Sequence, residues 1–86
     1  VMETRVALIG MIVQDQESAL EINALLHAYR QYIIGRMGIP YAPKKISIIS
    51  IAIDAPQDII SALSGKLGAL RGVSAKTVYS KVEGAN

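Results

Sequence analysis

The sequence predicts an α+β domain of order β-α-β-β-α-β, a four-stranded antiparallel sheet with two helices on one face. Three observations predict it. Residues 32–54 hold two β-type runs, Tyr32 to Ile39 and Ile46 to Asp54, around a short Pro-containing loop, which reads as a hairpin. On each side of that hairpin lies one helical pattern and then one more strand. At 86 residues the chain is long enough for one core and too short for two. The expected unit is a single domain over 1–86, with an ordered core from about 4 to 81.

The first strand is expected from Arg5 to Val13. It shows no alternation, because Val6, Leu8 and Ile12 are apolar, and so are Ala7, Ile9, Met11 and Val13. A strand apolar on both faces is one buried on both faces. Asp15 then caps a helix, and Glu17 sits near the positive dipole end. Ile22, Leu25, Leu26 and Tyr29 give that helix one apolar face at i, i+3, i+4, i+7 spacing, running to about Arg30.

The second strand is expected from Tyr32 to Ile39, stopped by Pro40. Gly35 and Gly38 inside it point to a bulge or a close backbone approach. The third strand, Ile46 to Asp54, is again apolar on both faces, relieved by Ser47 and Ser50. Pro56 suits the first position of a second helix, with Asp58 in its first turn. Ile59, Ile60, Leu63, Leu67 and Leu70 form its inward stripe, and Gly72 ends the region. Val73 to Lys81 alternates as a half-exposed fourth strand, and Glu83 to Asn86 is expected to fray. Two β-α-β units with right-handed crossovers give the ferredoxin-like βαββαβ arrangement.

Composition then sets a problem for that fold. Hydrophobic residues make up 51% of the chain and the mean hydropathy is +0.35. A chain this short buries only somewhat more than about 60% of its unfolded surface. Helices cover one sheet face, yet strands one and three are apolar on both. A homo-oligomer, dimer or tetramer, formed through the sheet resolves the conflict. The longest apolar stretch, Ile46 to Ile53, is far below the roughly 20 residues that span a bilayer. The apolar run from Val6 leads straight into a capped helix, which makes a poor signal peptide. A cytoplasmic location with no membrane partner is the expectation.

Several activities of this fold lack their residues here. There is no cysteine, so disulfides, thiolate metal sites and cysteine nucleophiles are excluded. RNA-recognition domains stack bases on aromatics of the central strands, and strands one and three have none. The turn Val13-Gln14-Asp15-Gln16-Glu17 is acidic and without glycine, which repels phosphate. Ser64-Gly65-Lys66-Leu67 lacks the upstream glycine and following hydroxyl of a P-loop, so Lys66 reads as a surface lysine. His27 is the sole histidine, at the edge of a helix face. With no convincing nucleophile, base or metal cluster, the chain does not read as an enzyme, and no cofactor is implied.

Charge is uneven. Residues 1–29 carry Glu3, Asp15, Glu17 and Glu21 against Arg5 alone, whereas the remainder is basic, for a net charge of +2. That asymmetry suits a small anionic ligand or partner. The basic residues are scattered rather than clustered, however, which reads first as a solvated surface, and no direct nucleic-acid partner is expected. Arg36 stands mid-strand among apolar residues and needs an acceptor. One reading is a carboxylate or phosphate held by Arg36 between glycine backbones; the other is an intersubunit ion pair or an exposed edge. The candidate ligand-binding set is Gly35, Arg36, Met37, Gly38 and Tyr41.

The blocks Tyr32-Ile-Ile-Gly-Arg-Met-Gly-Ile-Pro-Tyr41, Ile48-Ile-Ser50, Asp54-Ala-Pro56, Ile60-Ser-Ala-Leu-Ser-Gly-Lys-Leu-Gly68, Gly72-Val-Ser74 and Lys76-Thr77 resemble one small family. It is that of the proposed iron-only hydrogenase system regulators, standalone ACT-like domains, matched from about Thr4 to Lys81. The resemblance implies a ferredoxin-like fold, self-association and a regulatory role in bacteria. A wider similarity is to ACT domains and the C-terminal domain of the nickel-responsive repressor. Ligand-binding ACT domains commonly place a glycine after strand one, and Gln14-Asp15-Gln16 has none. The nickel domain uses several histidines and a cysteine, against His27 alone here.

The expected function is a non-enzymatic, oligomeric, ligand-sensing regulatory module. The alternatives are a small enzyme of the dimeric α+β-barrel kind using His27 in an enclosed cavity, and a purely structural assembly partner.

Overall fold

A computed structural model of the chain describes residues 3–81. The strands are β1 (Arg5–Val13), β2 (Ile33–Tyr41), β3 (Ile46–Ala55) and β4 (Val73–Tyr79); the helices are α1 (Ala19–Ala28) and α2 (Gln57–Gly68). The sheet order is β2-β3-β1-β4, antiparallel throughout. This is the ferredoxin-like α+β architecture. The strands richest in apolar residues, β1 and β3, take the centre.

The helix-side face follows strict alternation. Ala7, Ile9, Met11 and Val13 of β1 are buried with Ile51, Ile53 and Ala55 of β3. Ile22 and Leu26 of α1, and Ile60, Leu63 and Leu67 of α2, close over them. Each such aliphatic side chain, fully buried, stabilises the fold by about 1.5–3 kcal/mol. Leu25, Tyr29, Ile59 and Leu70 pack at the margins of both stripes. The Thr77 hydroxyl donates to Ser64 Oγ at 2.9 Å, fixing α2 over β4.

Several boundaries differ from the sequence reading. Pro40 does not stop the second strand; β2 continues to Tyr41, and Pro40 stands opposite Ser47. An edge strand tolerates proline because its outward N–H has no ladder partner to lose. The first helix is shorter than expected: a 3-10 turn over Gln16–Ser18 precedes α1, and another over Arg30–Tyr32 follows it. Pro56 caps α2 from outside rather than opening it. The last strand ends at Tyr79, not Lys81. The glycine-rich strand is irregular as expected: the register with β3 shifts between Ile33 and Gly35, leaving Ile34 as the extra residue. The tail from Glu83 to Asn86 lies outside the described residues.

The ends of β1 and α2 are tied together tightly. Asp15 Oδ1 accepts from the Glu17 amide at 2.9 Å, as a capping residue should. Gln14 N–H donates to the Gly72 carbonyl at 2.7 Å, and the buried Ser18 hydroxyl donates to the Arg71 carbonyl at 2.7 Å. Gly72 has φ +69°, and a Cβ there would stand 2.5 Å from Asp15 Cβ. Only glycine fits both demands.

Candidate functional site

Alternation along β2 divides the sequence-predicted site between two faces. Gly35, Met37 and Tyr41 pair with Ala52, Ser50 and Ile46, on the face that no helix covers. Arg36 and Gly38 pair with Ile51 and Ile49 and so point to the helix side. The five residues form a strip with two sides rather than one convergent pocket. β2 is the edge that both faces share.

Arg36 is exposed within the subunit rather than a buried mid-strand charge. Its acceptor is Asn23 of α1, with Nη2 donating to Oδ1 at 2.8 Å. Arg36 borders three depressions. A small one of about 60 Å³ lies toward the N-terminal half of α1, beside Gln16, Ala19 and Ser47. A groove of about 330 Å³ lies toward its C-terminal half, beside His27, Arg30 and Ile33. A third, about 190 Å³, opens on the uncovered face among Leu8, Gly35, Met37, Ser50 and Ala52.

His27 is exposed on α1 and lines the open groove, not an enclosed cavity between sheet and helices. Among the described residues, no three of His, Asp and Glu come together as a metal site would require. Lys66 is a surface residue whose Nζ donates to Tyr29 Oη at 3.0 Å. No helix among the described residues is long and apolar enough to cross a membrane.

The uncovered face is itself a built surface. Cross-strand pairing sets its residues in rows. Ile39, Ile48 and Ile12 make one row, and Leu8 and Val78 belong to another with Gly35 and Ala52. Between them run Met37, Ser50, Gly10 and Lys76, small at the centre. Leu8 is 49% exposed, Met37 61% and Val78 67%. One apolar ridge, Ile39–Ile48–Ile12, thus crosses the face, and a depression lies beside it among Leu8, Gly35, Met37, Ser50 and Ala52. Sequence reasoning found the apolar surplus but not this corrugation, which depends on register.

Comparison with known proteins agrees with this architecture. The family model for TM1266-like proteins, described as a proposed iron-only hydrogenase system regulator, matches residues 5–77. The solved structure of the uncharacterized protein TM1266 from Thermotoga maritima is similar with a TM-score of 0.86 and 39% sequence identity. That likeness covers 92% of this chain and 100% of the other. No match is found among the curated proteins. The chain belongs to the TM1266-like family.

Proposed function

We propose that this TM1266-like chain is a non-enzymatic regulatory module of an iron-only hydrogenase system, acting in the cytoplasm as a homo-oligomer. In this reading copies associate through the open sheet face, and a small ligand is sensed where β2 meets the subunit boundary. The observation that carries it is the uncovered face: Val6, Leu8, Ile12, Met37, Ile39, Ile48 and Val78 are all exposed on one side of one sheet. Contiguous apolar surface of this extent marks an interaction site.

Face-to-face packing is favoured over edge-to-edge addition. The β2 edge carries Pro40 and the irregularity at Ile34, two devices that discourage a further strand. The β4 edge is short, at seven residues, and bears Lys76. The open face carries its charges, Asp54 and Lys76, opposite Val6 and Gly10, and is otherwise dominated by apolar side chains. Its apolar ridge and the depression beside it suit interdigitation with a second sheet at about 10 Å spacing. Gly35, Met37 and Tyr41 then fall in the interface, while Arg36 and Gly38 stay on the helix side of the same strand. A ligand at Arg36 is thereby coupled to the boundary through one strand.

The test is a charge placed on the open face. Leu8→Asp and Ile12→Asp are expected to convert the assembly to single subunits by size-exclusion light scattering, with unchanged far-ultraviolet circular dichroism. Variants that keep the wild-type mass would overturn the proposed interface.

A further inference from the structure

We infer that the groove between α1 and the start of β2 binds a small organic anion, a carboxylate or phosphate monoester bearing an apolar arm. The inference deepens the ligand-sensing reading above and rests on it. The groove measures about 330 Å³, within the range of small-molecule sites, and is lined by Asn23, Leu26, His27, Arg30, Ile33 and Arg36.

Its chemistry is one-sided. Two guanidinium groups and an imidazole line it, and no carboxylate does. The ion pair among the described residues is Arg71 with Asp15, at the far end of α1, so neither Arg30 nor Arg36 has a carboxylate partner there. Both arginines are nonetheless held. Arg36 Nη2 donates to Asn23 Oδ1 at 2.8 Å, and Arg30 Nη1 donates to the His27 carbonyl at 2.9 Å. A guanidinium has five N–H donors, so each keeps most of its fork for a ligand. The Arg30 contact also offsets the negative end of the α1 dipole, which would otherwise repel an anion. Buried Leu26 and half-buried Ile33 supply an apolar wall. The arrangement takes a charged head at the arginines and a short hydrocarbon arm along Leu26 and Ile33.

The experiment titrates the ¹⁵N-labelled full chain at low ionic strength, where exposed charges are least screened. Inorganic phosphate is one arm, butyrate another, and chloride at matched ionic strength the control. Saturable amide shifts at Asn23, His27, Arg30 and Arg36 are expected, absent with chloride. Saturation by phosphate alone assigns a phosphoryl head, and by butyrate alone a carboxylate. Arg36→Ala and Arg30→Ala are each expected to weaken binding about tenfold, the scale of one charge-assisted hydrogen bond. Both residues are exposed, and the remaining spectrum reports that the fold is kept. Shifts matching the chloride control, or affinity unchanged in both variants, overturn the site. Sedimentation of the same samples separates the two proposals: a single subunit that binds the anion refutes the assembly alone, and an assembly that does not bind refutes the groove alone.

Discussion

The two faces of β1 are nearly equal in composition and opposite in circumstance. Ala7, Ile9, Met11 and Val13 point to the helices and are at most 2% exposed. Val6, Leu8 and Ile12, interleaved with them, point away and keep between 37% and 49% of their surface. One strand thus carries two apolar stripes and finds a cover for one. Hydrophobic burial is non-directional, so the second stripe has the same driving force as the first. The difference teaches that the inner face builds the subunit, whereas the outer face is left for the proposed assembly to cover.

The largest expected effect comes from breaking that pairing one residue at a time. Ile9→Ala should cost about 3 kcal/mol of unfolding free energy, the scale of a large-to-small change in a closed core. Leu8→Ala, one residue along, should cost under about 1 kcal/mol in dilute urea titrations, where exposed sites contribute little. Its penalty should grow with protein concentration, because a subunit partner stabilises by mass action. Equal, concentration-independent losses at both positions would erase the distinction between the faces.

The helix-side face also depends on how the chain turns beneath it. Gly72→Ala should destabilise by about 2 kcal/mol, through a strained positive φ and a clash with Asp15. Differential scanning calorimetry checks this, and a wild-type melting temperature would show that the Asp15–Gly72 contact can relax. The smallest effect has the opposite sign. Gly65 lies exposed in α2 with nothing within 4 Å of an added Cβ. Gly65→Ala should therefore stabilise the subunit by up to about 1 kcal/mol, the helix propensity difference. It should leave self-association unchanged, since α2 lies on the covered side.

Much of the fold was legible because period and punctuation agree. The bounds of β1 follow from its apolar run, and the stripe Ile60, Leu63, Leu67 from helical spacing alone. Proline proved less readable: Pro40 breaks a central strand but not an edge, and edge status depends on tertiary order. The site was legible only in part. Arg36 stands out as a lone charge among apolar residues, but its neighbours in sequence are not its neighbours in space. Strand alternation sends Met37 and Tyr41 to the other face. The groove partners Asn23, His27 and Arg30 come from α1 and its end, brought near by the crossover. A search for polar residues at i, i+4 and i+7 on α1 would have found them, since Asn23, His27 and Arg30 share that spacing.

Sedimentation equilibrium of the full chain, from micromolar concentration downward, tests the central claim most directly. The account predicts a mass that is a multiple of 9.2 kDa, falling toward one subunit only on strong dilution. A well-folded 9.2 kDa species at every concentration would contradict it. The outer stripe of β1 would then face water without a partner.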